Sequence, residues 1–341
     1  MRSLLINIIQ GCNLWKRGGC SFCFYQNGGG FPKKFTIMDL DVFDKTLDNW
    51  LSDNNQIKDL NVYFTSGEFT LLNFEYINRI LNIEKKYEDK YGVRLTNHVQ
   101  TNGILIDKMW ASFLRDNKFR VGLSLEALPE LQNSMRCNSL AETLKGLKLL
   151  QDGGYTPGVI SVLTKEALIC LLQGNNIEKH FKFFLDLGIH NWGYNPYITP
   201  YFSSDHIISD SDYTQFLSKA MDLWLQQPEK PVIRIREFDD LLCLTLGKRT
   251  RGCTFNESCS NFIQIDPLGD IYPCERLIGF DCYQKLGNVV FDKIINVLKN
   301  RKIGNSKGCT AMQVDGNYRY SGTTRVLINK FQEVLNHAKA A

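Results

Sequence analysis

From residue 3 to about residue 200, short apolar runs alternate with longer segments whose apolar residues recur at helical spacing, a pattern that predicts strand-helix units around a parallel sheet. The predicted strands are SLLINII (3–9), DLNVYFTS (59–66), RLTNHVQTN (94–102), RVGLSLEA (120–127), GVISVLT (158–164) and NWGYNPYI (191–198), each entering a polar or glycine-containing turn. MDLDVFDKTLDNWLSD, NFEYINRILNIEKKYEDKY, SLAETLKGLKLLQDG and NNIEKHFKFFLDLG fall between them as amphipathic helices, several opened by Ser, Asp or Asn caps. Six such units make a partial (β/α)6 barrel of TIM type, an α/β fold. Sites on such barrels form at the C-terminal ends of the strands, so the chemistry should converge on one rim.

After the barrel pattern (1–205), residues 206–250 read as a helical connector, with SDYTQFLSKAMDLWLQQ and FDDLLCLTLG joined by an extended, proline-containing piece. From 251 to 341 the character changes to cysteines, turns and the hairpin-like FIQIDPLGDIYPC, which reads as a smaller second domain closed by a helix. No repeat or low-complexity tract is present.

Of the 341 residues, 43% are hydrophobic and 22% charged, as in a globular chain with a real core. A net charge of +4, scattered along the chain, argues against a nucleic-acid or anionic-membrane partner. MRSLLINIIQGC is too short an apolar run for an export signal or a membrane span, so a cytoplasmic protein is expected. Eleven cysteines in such a chain point to metal rather than disulfides.

Their placement sharpens this. Cys12, Cys20 and Cys23 crowd one loop at C-x7-C-x2-C spacing, while Cys253, Cys259 and Cys274 crowd another far downstream. Structural zinc takes four protein ligands, whereas a four-iron cluster on three thiolates keeps one iron open for a small ligand. A zinc loop and a zinc knuckle are the competing readings of the two sets. Cys137, Cys170 and Cys243 lie in or beside apolar segments and read as packing. His98, His180, His190, His206 and His337 show no ligand spacing and read as structural.

GCNLWKRGGCSFC resembles the cluster loop of the radical S-adenosylmethionine superfamily, which ends in C-x-aromatic-C, here Cys20, Ser21, Phe22 and Cys23. The first spacing of seven departs from the usual three. Thr65, Ser66, Gly67 and Glu68 resemble the superfamily's Gly-Gly-Glu-Pro motif for the methionine amino group, with Ser66 and Phe69 as departures. VGLSLEALPELQNSMR is similar to its Ser-x-Asp strand end, with Glu126 where Asp is commoner, and implies that Ser124 and Arg136 hold ribose and carboxylate. HVQTNGIL matches its Thr-Asn-Gly strand end, which shapes the turn above the site, and no catalytic role is expected for Asn102.

CTFNESCSNFIQIDPLGDIYPCERLIGF resembles the SPASM auxiliary-cluster domain in its shortened, twitch-type form, as found in peptide maturases. The resemblance implies Cys253, Cys259 and Cys274 as ligands of one auxiliary cluster, of 4Fe-4S type, with Cys309 expected as the fourth ligand and Cys282 or an open position as alternatives. It further implies a first 4Fe-4S cluster bound to S-adenosylmethionine, whose reductive cleavage gives a 5'-deoxyadenosyl radical that abstracts a substrate hydrogen. Glu275, directly after Cys274, is the candidate base, and a solvated surface acid is its bland reading.

The expected function is therefore maturation of a ribosomally made precursor peptide, by crosslinking, oxidation, epimerisation or excision. Its expected partners are that peptide, a reductant such as flavodoxin or ferredoxin, and a separate peptide-recognition protein. A small-molecule radical dehydrogenase and a tRNA-modifying radical enzyme are the enzymatic alternatives. An iron-sulfur electron carrier is the non-catalytic one; it would need the cysteines but not Glu68, Ser124 or Arg136.

Overall fold

The computed structural model describes residues 3–23, 25, 34–54, 56–197, 208–228, 230–248, 250, 252, 255, 263–275, 285–299, 313–314, 317–318 and 321–340. The chain forms two compact units, one of residues 1–124, 133–157 and 260–302, the other of 125–132, 158–259 and 303–341. In chain order the strands are β1 (Ser3–Ile6), β2 (Ile9–Gln10), β3 (Thr36–Ile37), β4 (Asp59–Phe64), β5 (Arg94–Thr101), β6 (Arg120–Ser124) and β7 (Gly158–Leu163). They continue as β8 (Asn191–Pro196), β9 (Arg234–Ile235), β10 (Gln264–Ile265), β11 (Asp270–Tyr272), β12 (Gly287–Asn288), β13 (Gln313–Val314) and β14 (Asn317–Tyr318).

In the first unit β1, β4, β5 and β6 lie parallel and adjacent in that order, with Ser3 opposite Asn61, Asp59 opposite Arg94 and His98 opposite Arg120. Strand alternation decides which side chains enter the core: along β4 Leu60, Val62 and Phe64 are buried, joining Leu4 and Ile6 of β1. Helices Leu40–Ser52 and Phe74–Tyr91 cover this face with Phe43, Leu47, Trp50, Ile77 and Ile80. The second begins where Asn73 Oδ1 accepts the Tyr76 N–H at 2.8 Å and ends at Gly92, whose φ of 59° gives the left-handed cap.

The other edge of β1 carries β10, in parallel register with Leu5 opposite Gln264, and β11 and β12 continue outward as an antiparallel meander. Ile263, Ile265, Ile271, Val289 and Ile294 thereby belong to the same core as β1 and β4. Asn49 ties the two chain regions together, donating to the carbonyls of Val289 (3.2 Å) and Asp292 (2.6 Å) while its oxygen accepts Ile294 N–H at 2.9 Å. The compact units therefore do not follow the linear division at residue 251: the downstream hairpin satisfies its backbone by joining the N-terminal sheet.

In the second unit β7, β8 and β9 run parallel, Val159 opposite Trp192 and Asn191 opposite Arg234. His180 is buried there, its ring nitrogens 2.9 Å from the Ala127 carbonyl and 2.7 Å from the Tyr194 hydroxyl, which also accepts Trp192 Nε1–H at 2.8 Å. Burial lowers its pKa to about 4, so the ring is a neutral packing element. The helix Ser321–Ala340 packs on helices Asp210–Leu225 and Arg236–Thr245. Thr323 Oγ1 donates to Asp210 at 2.6 Å, Lys330 pairs with Asp222 at 2.6 Å, and Phe331 meets Trp224 and Phe238.

The helices Lys108–Asp116, Pro129–Met135, Lys165–Leu172 and Ile294–Lys299 go beyond those predicted from the pattern. Among the described residues no helix is long and apolar enough to cross a membrane.

Candidate functional site

The loop after β1 owes its shape to the seven residues between its first two cysteines. Cys12 precedes a 3-10 turn, Asn13–Arg17, and Gly18 (φ 97°) and Gly19 (φ 75°) follow in the left-handed region. Gly19 N–H returns to the Leu14 carbonyl at 3.0 Å, reversing the chain, and Cys23 N–H closes a second turn on Cys20 O at 2.9 Å. The long spacing is thus one helical turn plus a two-glycine reversal. Arg17 anchors it from outside with a fork onto Glu142 at 2.5 and 2.7 Å. Burial pushes the Cys12 thiol well up, and the nearby charges of Glu68, Cys20 and Cys23 act in the same direction.

The end of β4 approaches this loop very closely. Glu68 N–H donates to Gly11 O at 2.8 Å, and a Cβ at Gly67 would stand 2.0 Å from Ile9 O, so only glycine passes there, at a φ of 137°. Thr65 Oγ1 is buried with no hydrogen-bond partner among the described residues. Ser66, also left-handed at φ 65°, turns its hydroxyl onto Glu275 Oε2 at 3.2 Å.

Glu68 is 1% exposed, and its carboxylate is surrounded by protein donors. Oε1 accepts from Thr101 Oγ1 (2.6 Å), Thr70 Oγ1 (2.6 Å) and Thr70 N–H (3.2 Å), and Oε2 from Asn102 N–H (2.8 Å). Burial raises its pKa while these four bonds oppose the rise. In this structure Glu68 therefore binds the ends of β4 and β5 together. Asn102, for which sequence reasoning gave only a turn role, sends Nδ2 to Asn13 Oδ1 (2.7 Å) and to Cys12 Sγ (3.7 Å).

Ser124, at the end of β6, accepts from Gln100 Nε2 at 3.0 Å. Gln100 lies across Gly122, where a Cβ would meet its Oε1 at 2.2 Å. Nothing in the sequence singled Gln100 out beyond its place beside Thr101 and Asn102. Arg136 lies against the cysteine loop: Nη1 is 3.8 Å from Cys20 Sγ, and the guanidinium stacks 4.8 Å from the Phe22 ring centroid. Met135 O accepts Ser21 N–H at 3.0 Å and Cys137 Sγ reaches Gly19 O at 3.0 Å, so consecutive residues grip consecutive loop residues. Glu126 belongs to the second unit, where it is buried and accepts Val162 N–H at 2.8 Å.

The β10–β11 hairpin delivers Cys274 and Glu275 to the first unit. Asp266 holds its turn by accepting Leu268 and Asp270 N–H at 3.0 and 2.9 Å, and burial raises its pKa to about 6. Tyr25 is buried with its hydroxyl on the Asn7 amide, whose nitrogen turned toward the carbonyls of Ile9 and Ser66 satisfies both. Asn7 was hidden inside the apolar run SLLINII, where a polar residue is the only available signal. Cys253, Cys259, Cys309 and the alternative Cys282 lie outside the described residues.

Among the described residues no three His, Cys, Asp or Glu side chains gather tightly enough to hold a single metal ion. The donor set suits an iron-sulfur cluster instead, in which each thiolate takes a different iron. Three soft ligands on one loop, N–H donors on Cys12 and Cys20, the buried Thr65 hydroxyl with no partner among the described residues and the glycine passage at Gly67 fit a cluster with a small polar ligand beside it.

Comparison with known proteins agrees. The family model described as the radical SAM superfamily matches residues 6–183. A cysteine-type anaerobic sulfatase-maturating enzyme of Clostridium novyi is 28% identical over 306 residues, covering 85% of this chain and 78% of that protein. The uncharacterized protein MJ0907 of Methanocaldococcus jannaschii is 26% identical over 319 residues, 92% of this chain and 96% of its own length. Native anSMEcpe with bound AdoMet and the Cp18Cys peptide superposes with a TM-score of 0.81 over 99% of both chains at 23% identity, a likeness of fold. Enzymes of this superfamily use a 4Fe-4S cluster and S-adenosylmethionine. With the family model spanning more than half of its length, from β1 through the cysteine loop and the strand ends that meet it, this chain belongs to the radical S-adenosylmethionine superfamily, as an enzyme close to the anaerobic sulfatase-maturating branch.

Proposed function

We propose that the protein is a maturase that modifies a residue of a polypeptide substrate, with oxidation of a cysteine or serine side chain as its reaction. The reading is supported by similarity to the cysteine-type maturating enzyme over most of both chains. A ribosomally made precursor peptide remains a substrate of the same class.

In this reading Cys12, Cys20 and Cys23 hold the first cluster, Thr65, Ser66, Gly67 and Phe22 shape the floor for S-adenosylmethionine, and Ser124 and Arg136 bind its ribose and carboxylate. Glu68 would act on the amino group through the strand ends it fixes. Cys253, Cys259, Cys274 and Cys309 hold one auxiliary cluster, and a flavodoxin or ferredoxin supplies electrons. When bound, the clusters and S-adenosylmethionine supply hydrogen-atom abstraction and electron removal. The chain supplies the base: oxidising a side chain releases a proton, and Glu275 is the acceptor. The observation that carries this is the 3.2 Å bond from Ser66 Oγ to Glu275, which sets a carboxylate from the C-terminal hairpin beside the end of β4.

The test is anaerobic reconstitution with iron and sulfide, then reductant, S-adenosylmethionine and synthetic peptides presenting a central cysteine or serine. Formation of 5'-deoxyadenosine that disappears in Cys20→Ala, with a mass change at the target residue, is the expected result. Deoxyadenosine with every peptide unchanged, alongside oxidation of a small polyol or amine, would overturn the peptide reading.

A further inference from the structure

The thiols of Cys12 and Cys20 in the cysteine loop each receive an N–H group from outside the loop. Asn102 Nδ2 lies 3.7 Å from Cys12 Sγ, and Arg136 Nη1 lies 3.8 Å from Cys20 Sγ. Sulfur is large, and these separations lie within the reach of N–H···S contacts. We propose that Asn102 and Arg136 are positioning residues that place N–H donors on Cys12 and Cys20 and thereby raise the reduction potential of the cluster those thiolates hold. The inference rests on the reading of Cys12, Cys20 and Cys23 as cluster ligands.

Both donors are fixed by the surrounding protein. Asn102 Oδ1 accepts Ile104 N–H at 3.0 Å, which decides that the amide turns its nitrogen to Cys12 and to Asn13 Oδ1, 2.7 Å away. Its backbone N–H is held at 2.8 Å by Glu68, whose carboxylate accepts three further bonds from Thr70 and Thr101. Arg136 is 7% exposed and stacked on Phe22, and its neighbours Met135 and Cys137 bind Ser21 and Gly19. The orientation of each donor is thus set by protein groups, the arrangement by which outer groups orient and tune metal ligands.

The direction follows from charge. Reduction adds an electron to the cluster, and part of that charge falls on the thiolate sulfurs. A donor aimed at sulfur, and more so a guanidinium in a partly buried setting, stabilises the reduced form more than the oxidised one. Reduction of such a cluster is the demanding step for an enzyme fed by a low-potential carrier, so an upward shift eases electron delivery.

The experiment is an EPR-monitored redox titration of the reconstituted full-length enzyme without S-adenosylmethionine, which separates this role from any contact of Arg136 with that molecule. Arg136→Gln and Asn102→Asp should both shift the midpoint to more negative values at unchanged iron content, and Arg136→Lys, which keeps the charge but not the fork, should fall between. Arg94→Gln, which removes an exposed positive charge paired with Asp59, should leave the potential unchanged. Unchanged midpoints in Arg136→Gln and Asn102→Asp with iron retained would overturn the proposal. If Arg136→Gln binds no iron, Arg136→Lys and Asn102→Asp decide on the same measurement. If Cys20→Ala carries as much iron as the native enzyme and gives the same signal, the ligand reading itself fails.

Discussion

The backbone N–H of Asn102 donates to the buried carboxylate of Glu68 at 2.8 Å, locking the ends of β5 and β4 together beneath the cysteine loop. Glu68→Gln should be costly despite its shape. Oε1 would be replaced by the amide oxygen, but an NH2 would face the Asn102 N–H, donor against donor. The loss should be on the order of 2 kcal/mol. Urea unfolding of the iron-free protein measures it, and an unchanged midpoint would show that the four bonds contribute nothing net.

Gly67→Ala tests the close passage of the strand end. The added methyl would stand 2.0 Å from Ile9 O in a left-handed backbone that disfavours any side chain. The expected result is a folded protein whose β1 loop is displaced: iron uptake on reconstitution falls, and deoxyadenosine formation falls with it.

Glu84 gives a pH signature far from the cysteines. It is buried in the helix Phe74–Tyr91, accepts Asn97 Nδ2–H at 2.6 Å, and its Oε1, like Asn97 Oδ1, has no donor among the described residues. Burial raises its pKa to about 8. A carboxyl with a raised folded pKa contributes stability fully below its unfolded value, lost as pH rises through the folded value. Stability should therefore decline between about pH 4.5 and 8, by about 5 kcal/mol at most from this group. Glu84→Gln should flatten that decline and raise Tm at pH 8 more than at pH 5; parallel melting curves at both pH values would contradict it.

Phe331→Ala probes the docking of the C-terminal helix. The ring is 3% exposed between Trp224 and Phe238, and its removal should cost about 3 kcal/mol. Limited proteolysis should then release the C-terminal segment earlier than in the native protein.

Glu275→Gln separates the proposed base from the radical machinery. Deoxyadenosine should still form while modified peptide falls by about 10²-fold or more. Equal loss of both products would assign Glu275 to cofactor binding or folding.

Much of the fold was legible because its signals are local. Six strand cores and the hairpin at Pro267 and Leu268 lie within the segments the alternation and turn chemistry marked. The cysteine loop and the Ser66-Gly67-Glu68 strand end stood out by residue type. What stayed hidden depends on contacts distant in sequence. The parallel pairing of Leu5 with Gln264 leaves no local periodicity, so the hairpin read as part of a separate domain. Asn102 and Gln100 sit in an ordinary strand end, and only their neighbours, Cys12 and Ser124, show what they hold. Glu68 was marked for its charge, whereas its burial, visible only in three dimensions, makes it a fastener.

The seam between β1 and β10 has a consequence for biosynthesis. β1 leaves the ribosome long before Gln264 and Ile265, and its outer edge stays bare through most of translation, open to any stray strand. The core under β1 must wait for Ile263, Ile265 and Ile271 to be made, so the first unit completes its folding only late in synthesis.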